Sequence, residues 1–302
     1  MQAITVQDRQ AGIDGLSLTE LPSPHAAEND VIVQVHAAGV TRGELDWPGT
    51  WTDRAGRDRT PSVPGHEVSG VVVDLGYGTT GLTIGQRVFG LTDWLRDGTL
   101  AEYVAVEARN LAPLPAGVDH VTAAALPISG LTAWQALFDH ANLQPGQTVL
   151  IHGITGAVGS VAAQLAQEIG AHIIGTGRAA HQARATELGA HRFVDLAGSD
   201  LEKAGPVDVV LDVIGGEAGE RSAALVRPGG TFVTIAAPPT VQPANARAVF
   251  FVVEPNRDQL VKLATRLQDG RLTPLVTATV PLAEAAAAFQ PGSGRTIITV
   301  AE

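Results

Sequence analysis

From residue 1 to about 120 the apolar residues come in short runs that alternate with polar ones. The runs are Ile4-Thr-Val6, Asp30-Val-Ile-Val-Gln-Val-His36, Glu67-Val-Ser-Gly-Val-Val-Val-Asp74, Gln86-Arg-Val-Phe-Gly90 and Ala101-Glu-Tyr-Val-Ala-Val106. Alternation turns one face of a pleated strand inward, and the glycine and proline clusters between the runs make turns. This part therefore predicts a compact, partly barrel-like β domain. From Val121 the pattern changes to buried apolar runs separated by helical spacing. Strands are expected at 148–151, 171–175, 192–194, 207–212, 230–235 and about 249–253, which is the count of a six-stranded doubly wound sheet. After Pro255 a helix through Leu267, a helix at 282–289 that takes in the alanine run Ala285 to Ala288, and a strand Arg295-Thr-Ile-Ile-Thr-Val300 do not extend that count. They are expected to return to the first domain. The chain is thus read as α/β, with residues 1–120 and 256–302 forming the β-rich domain and residues 121–255 the doubly wound one.

Thr148-Val-Leu-Ile-His-Gly-Ile-Thr-Gly-Ala-Val-Gly159 runs an apolar strand into Gly153, Gly156 and Gly159 and then into a helix. A strand ending in a tight glycine turn points backbone N–H groups and the positive end of the next helix at a diphosphate, and a missing Cβ lets the ligand reach the main chain. The spacing departs from G-x-G-x-x-G, because Ile154 stands where its first glycine would be. Context supplies what the spacing lacks. Val161-Ala-Ala-Gln-Leu-Ala-Gln-Glu-Ile169 has helical periodicity, Gly170 can close the helix, and Ala171-His-Ile-Ile-Gly175 follows as a second strand. The turn predicts a pyrophosphate cradle at Gly153, Thr155, Gly156, Ala157, Val158 and Gly159, and with it hydride chemistry. After the second strand, Gly175-Thr-Gly-Arg-Ala-Ala-His181 contains no carboxylate to hold two ribose hydroxyls. Arg178 can pair with a 2′-phosphate, and Thr176 and the backbone at Gly177 can add hydrogen bonds, which favours NADPH. The plainer reading of Arg178 is a solvated loop residue.

Composition excludes several classes. A chain of 302 residues with 45% hydrophobic and 17% charged residues is globular and large enough for two domains. A net charge of −11 argues against a nucleic-acid partner, which would call for a basic face. Met1-Gln-Ala-Ile-Thr-Val6 does not read as a secretory signal, and no run approaches the roughly 20 apolar residues that span a bilayer, so no membrane association and a cytoplasmic location are expected. The absence of cysteine removes disulfides, thiolate catalysis and Cys-ligated zinc.

Val35-His-Ala-Ala-Gly-Val40, Val63-Pro-Gly-His-Glu-Val-Ser-Gly-Val-Val72, Gly85-Gln-Arg-Val-Phe-Gly90, Leu126-Pro-Ile-Ser-Gly-Leu-Thr-Ala133, the glycine turn, Val207-Asp-Val-Val-Leu-Asp-Val-Ile-Gly-Gly216, Val226-Arg-Pro-Gly-Gly230, and Gly270-Arg-Leu-Thr-Pro274 through Gly294-Arg-Thr-Ile-Ile298 follow one another along nearly the whole chain. In order and spacing they resemble the zinc-independent quinone oxidoreductase, or ζ-crystallin-like, group of the medium-chain dehydrogenase/reductase superfamily. The resemblance implies a GroES-like β-rich catalytic domain, an NADPH-binding six-stranded Rossmann domain, an active site in the cleft between them, and a homodimer. It matches Thr132 to a threonine that packs by the nicotinamide, and Val249-Phe-Phe-Val-Val253, with Phe250 and Phe251, to the segment whose backbone binds the carboxamide. That segment also reads simply as a buried strand. Ile214 and Ile235 complete the expected cofactor contacts. Leu196 departs from the pattern, standing where relatives often have a tyrosine near the adenosine end.

His66-Glu67 looks at first like part of a catalytic zinc site. Where zinc-dependent relatives place cysteines, this chain has Thr41 and Ile128, and one histidine cannot hold a metal that needs about three protein ligands, so no metal is expected. His66 reads either as a polar contact or proton donor of the cleft or as a packing histidine. The family's Asn-Pro-x-Asp-x-Tyr becomes Thr41-Arg-Gly-Glu-Leu-Asp46, with Thr41 at the asparagine position and Asp46 at the tyrosine position. Asp46 can stand in as a polar group, while Trp47 and Trp94 read either as flat walls for a planar acceptor or as core. The sequence is thus read as an NADPH-dependent, zinc-independent enzyme that passes hydride to a small molecule, a quinone or an enone, with Thr41, His66 or bound water stabilising the developing enolate or phenolate. A carbonyl or alcohol dehydrogenase, and a non-catalytic NADPH-binding redox sensor or structural protein, are the alternatives.

Overall fold

In a computed structural model, which describes residues 1–198, 201–292 and 294–301, the chain divides into two units, Met1–Ile128 with Pro255–Glu302, and Ser129–Glu254. The first unit begins with β1 (Gln2–Thr5), β2 (Ser17–Glu20), β3 (Asp30–Gly39), β4 (Glu67–Leu75), β5 (Arg87–Leu91), β6 (Tyr103–Glu107) and β7 (Leu111–Pro113). β1 and β2 pair with each other, while β3 is the axis of the main sheet, antiparallel to both β4 and β6. Val31, Val33 and Val35 of β3 are fully buried with Val68, Val72, Val88 and Val104 in one apolar cluster, which is why the valine-rich alternation folds as it does. The register of β3 against β4 shifts twice, between Ile32 and Val33 and between Val35 and Ala37, and such irregularities bend a sheet toward closure.

The second unit carries β8 (Thr148–Ile151), β9 (His172–Gly177), β10 (Arg192–Asp195), β11 (Val207–Asp212), β12 (Val226–Thr234) and β13 (Arg247–Phe250). They form one parallel sheet in the order β10-β9-β8-β11-β12-β13. Helices Ala157–Glu168, Gln182–Glu187 and Gly216–Ala223 lie between successive strands. The helix Ala157–Glu168 turns Val161, Ala162, Leu165 and Ala166 inward, the spacing that marks it in the sequence.

The chain then returns to the first unit. Helix Arg257–Gln268 is capped by Asn256, which accepts the Gln259 N–H at 3.1 Å, and Arg257 donates to the Leu111 carbonyl at 2.7 Å. β14 (Ala278–Pro281) and β15 (Thr296–Thr299) extend the main sheet, β15 lying antiparallel to β3.

Three details differ from the pattern. The periodicity changes at Val121, but the units divide after Ile128, because helix His120–Ala124 buries Ala124 with Ala125, Ala37 and Ile297 against the first unit's sheet. β13 stops at Phe250, opposite Thr234, where its partner β12 ends. Residues 282–289 form a 3-10 turn, Leu282–Glu284, and a short helix, Ala286–Phe289, confined between Pro281 and Pro291. Among the described residues no helix is long and apolar enough to cross a membrane.

Candidate functional site

In the parallel sheet β8 and β11 are neighbours, yet the chain leaves them toward opposite edges, so the loops that follow them diverge and open a crevice. On the β8 side Gly153 adopts φ +59°, a left-handed conformation open to glycine. A Cβ on Gly159 would lie 2.3 Å from the Gly153 carbonyl oxygen, so the helix can start this close to the turn only without a side chain there. Gly156 is the N-cap at φ −78°, is exposed, and a Cβ on it would meet only the Gly153 oxygen at 3.2 Å. The N–H groups of Ala157, Val158 and Gly159 precede the first helical bond, from the Ser160 N–H to the Gly156 oxygen at 2.9 Å, which is the arrangement of an anion cradle. Thr155, Ala157 and Val158 are half-buried around it.

On the β11 side the buried Asp212 accepts the N–H groups of Ile214 and Gly215 at 3.1 and 2.8 Å and the Thr234 hydroxyl at 2.9 Å. That carboxylate fixes the loop carrying Ile214, which is 45% exposed, beside Gly153. Ile235 is half-buried at the end of β12. Phe250 is exposed and Phe251 half-buried, the latter with its ring 4.4 Å from that of His140. Gln135 ties this strand end to the helix Pro127–Trp134, donating to the Glu254 carbonyl at 2.8 Å and accepting its N–H at 3.1 Å, and Thr132 is buried on that helix.

At the end of β9 the expected groups separate. Thr176 is fully buried, with its hydroxyl 2.8 Å from His152 Nδ1, so its side chain faces the core rather than a ligand. Gly177 is half-buried, and Arg178 is exposed with no side-chain partner among the described residues. Two residues here escaped the sequence reading. His181 lies with Nδ1 3.1 Å from the Thr155 hydroxyl, joining this loop to the glycine turn. Asp195 stands opposite Gly177 in the register, its Oδ1 accepting the Ala197 N–H at 3.1 Å. A separation of 18 residues hides that proximity in the sequence until the strands are paired.

In the first unit His66, Trp47 and Trp94 come together. The Trp47 ring is nearly parallel to His66 at 5.9 Å, and Trp94 stands edge-on to both, at 5.1 Å from Trp47 and 4.9 Å from His66. His66 is buried with Nδ1 3.1 Å from the Thr92 hydroxyl, and burial, helped by the Arg59 charge, lowers its pKa to about 4. It is therefore a neutral imidazole near pH 7. Thr41 and Trp47 are half-buried, and Asp46 is exposed. Beneath them lies Glu44, fully buried, whose carboxylate accepts the Thr41 N–H at 3.1 Å and the Gly65 N–H at 2.7 Å. Glu67 is also buried, paired with Arg295 and accepting the Ile128 N–H at 2.9 Å. Glu44 was not singled out in the sequence: between Arg42-Gly43 and Leu45-Asp46 it reads as a solvated turn residue, although it stands at the aspartate position of the Asn-Pro-x-Asp-x-Tyr pattern.

The chain matches the models of the "Alcohol dehydrogenase GroES-like domain" over residues 27–116 and of a "Zinc-binding dehydrogenase" over residues 188–295. It is 31% identical over 283 residues to a 2-methylene-furan-3-one reductase of Solanum lycopersicum, covering 87% of this chain and 68% of that one. Against a chloroplastic NADPH-dependent alkenal/one oxidoreductase of Arabidopsis thaliana the identity is 31% over 284 residues, 88% and 69% of the two chains. It also matches the spectinabilin polyketide synthase system protein NorB of Streptomyces orinoci at 32% identity, but spans only 13% of that protein. The quinone oxidoreductase from Coxiella burnetii superposes with a TM-score of 0.90 at 27% identity, covering 100% of this chain and 99% of that one. The donor set does not fit the zinc named by the second model. The chain has no cysteine, and among the described residues no three His, Asp or Glu side chains cluster as metal ligands would.

Proposed function

The chain belongs to the zinc-independent quinone oxidoreductase group of the medium-chain dehydrogenase/reductase superfamily, and from there we propose that it uses NADPH to reduce a quinone or the C=C bond of an α,β-unsaturated carbonyl. The observation that carries the cofactor choice is Arg178. It is an exposed guanidinium without a side-chain partner among the described residues, placed where the second strand of the doubly wound sheet ends beside the glycine turn. A 2′-phosphate there would gain a charge-assisted pair. The Asp195 carboxylate next door is already engaged by its own loop.

When bound, the nicotinamide supplies a hydride. The residues of the chain supply binding, orientation and a place for the resulting negative charge. The turn from Gly153 to Gly159 would hold the diphosphate through main-chain N–H groups, and Ile214, Ile235, Thr132 and the backbone at Phe250 and Phe251 would hold the rest of the dinucleotide. Trp47 and Trp94 form apolar walls for a planar acceptor. The half-buried Thr41 hydroxyl donates to the developing enolate or phenolate oxygen, and water delivers the proton. His66, neutral and buried under the tryptophans, acts as a hydrogen-bonding support and not as an acid near pH 7.

The test is oxidation of NADPH and NADH by the purified protein with a panel of quinones and enones, with and without EDTA. Turnover with at least one acceptor class, faster with NADPH and unchanged by the chelator, is the expected result. No turnover with any acceptor would favour a binding protein, and loss of activity on chelation would overturn the metal-free reading.

A further inference from the structure

Glu44 has no ion-pair partner among the described residues, although it is completely buried, and Glu67 nearby has Arg295. We propose that Glu44 is the positioning residue of the acceptor site, its side chain joining the backbone of Thr41 to that of Gly65, the residue before His66. The inference rests on the reading that Thr41 and His66 face the acceptor.

Both ends of Glu44 are used. Oε2 accepts the Thr41 N–H at 3.1 Å and Oε1 accepts the N–H of Gly65, the residue before His66, at 2.7 Å. Its backbone carbonyl accepts the Trp47 N–H at 3.1 Å and the Thr50 hydroxyl at 2.6 Å, and its own N–H closes the turn onto the Thr41 oxygen at 3.0 Å. Two loops that lie 21 residues apart in sequence are thus pinned to one side chain. The site calls for a carboxyl group. Two N–H donors converge on it, one on each oxygen, and both the charged and the neutral carboxyl can accept them, whereas an amide of the same size would turn its NH2 toward one of them.

Such a group is costly for the fold. Burial and the neighbouring Glu67 charge push the Glu44 carboxyl up to about 8, against the two backbone hydrogen bonds and Arg295, which favour the charged form. An apolar residue of similar volume would avoid the buried carboxyl but leave the Thr41 and Gly65 N–H groups without their acceptor. What an apolar residue cannot do is hold the Thr41 and Gly65 amides at a fixed separation, and displacements near 1 Å in a reacting geometry cost about a hundredfold in rate.

The experiment compares Glu44→Gln and Glu44→Asp with the unmutated enzyme in the presence of a quinone or enone that the latter reduces. It measures kcat and KM for the acceptor, the Kd for NADPH by fluorescence titration, and the melting temperature. Glu44→Gln is expected to lose about ten- to hundredfold in kcat/KM for the acceptor, with the NADPH Kd within about twofold. Glu44→Asp, which keeps both acceptor oxygens, is expected to recover part of the loss. The proposal is overturned if Glu44→Gln retains kcat/KM within about twofold. It is also overturned if Glu44→Asp does no better than Glu44→Gln, or if turnover, NADPH affinity and melting temperature fall together in both variants. An unmutated protein that binds NADPH but reduces no acceptor would overturn the reading of function instead.

Discussion

Arg178 is a single cation at the end of a strand, and its role depends on what surrounds it more than on its own chemistry. Surface arginines often contribute little, because water and salt screen them. Here Arg178 follows Gly177 at the strand end, in a loop that His181 ties to the glycine turn through Thr155. Arg178→Ala should weaken NADPH binding by about 1.5–3 kcal/mol, roughly ten- to a hundredfold, and leave NADH binding nearly unchanged. Titration of both cofactors against both proteins checks this, and equal affinity for the two cofactors in the unmutated protein would remove Arg178 from the site. Thr176 illustrates the opposite case, a hydroxyl at the same strand end whose fully buried side chain is committed to His152.

The strand–turn–helix element makes a sharper distinction, because its glycines are not equivalent. Gly159 is required by the fold, since any Cβ would strike the Gly153 carbonyl at 2.3 Å. Gly156 has ordinary φ, is exposed, and has only the Gly153 oxygen within reach of a Cβ. Gly156→Val should therefore fold with a melting temperature close to that of the unmutated protein while losing NADPH binding, because the branched side chain fills the space a diphosphate would take. Gly159→Val should lose both. Thermal melts alongside cofactor titration separate the two, and a folded Gly156→Val protein with undiminished NADPH affinity would show that the turn does not face the dinucleotide.

For the whole molecule, histidines whose pKa the fold lowers weaken stability as the pH falls. His66 and His120 are held near pKa 4, and His152 is lowered as well, in each case chiefly by burial. The folded protein keeps them neutral, whereas the unfolded chain takes up protons near pH 6.5, so stability falls as pH drops from about 6.5 toward 4. For His66, which is almost fully buried, the complete effect is about 3 kcal/mol. Glu44 has the opposite sign. Its raised carboxyl favours the fold at low pH, and that contribution is lost as pH rises through about 8. Comparing His66→Gln with the unmutated protein cancels the Glu44 contribution. The melting temperature of the variant should decline less steeply between pH 6.5 and 4, and parallel curves would contradict the lowered His66 pKa.

Local signals were sufficient for the doubly wound unit. Apolar runs such as Val207–Asp212 are buried on both faces of a parallel sheet, and the helix after Gly156 repeats its buried positions every three or four residues, so strand, turn and helix are each encoded within a dozen residues. The absence of cysteine, with Thr41 and Ile128 where zinc-dependent relatives place cysteines, is likewise a property of the sequence alone. The acceptor side was legible only in part. Trp47, His66 and Trp94 could be picked out by type, but their stacking, the burial that keeps His66 neutral, and the support beneath them depend on loops meeting across long stretches of chain. Glu44 and Arg295 are the clearest examples. Each looks like a solvated charge in its own segment, and only when the sheet brings β3, β4 and β15 together do they become buried groups with backbone partners. Periodicity reports which face of an element is buried. The partner of a buried charge is set by the packing of distant segments, and only the tertiary structure decides it.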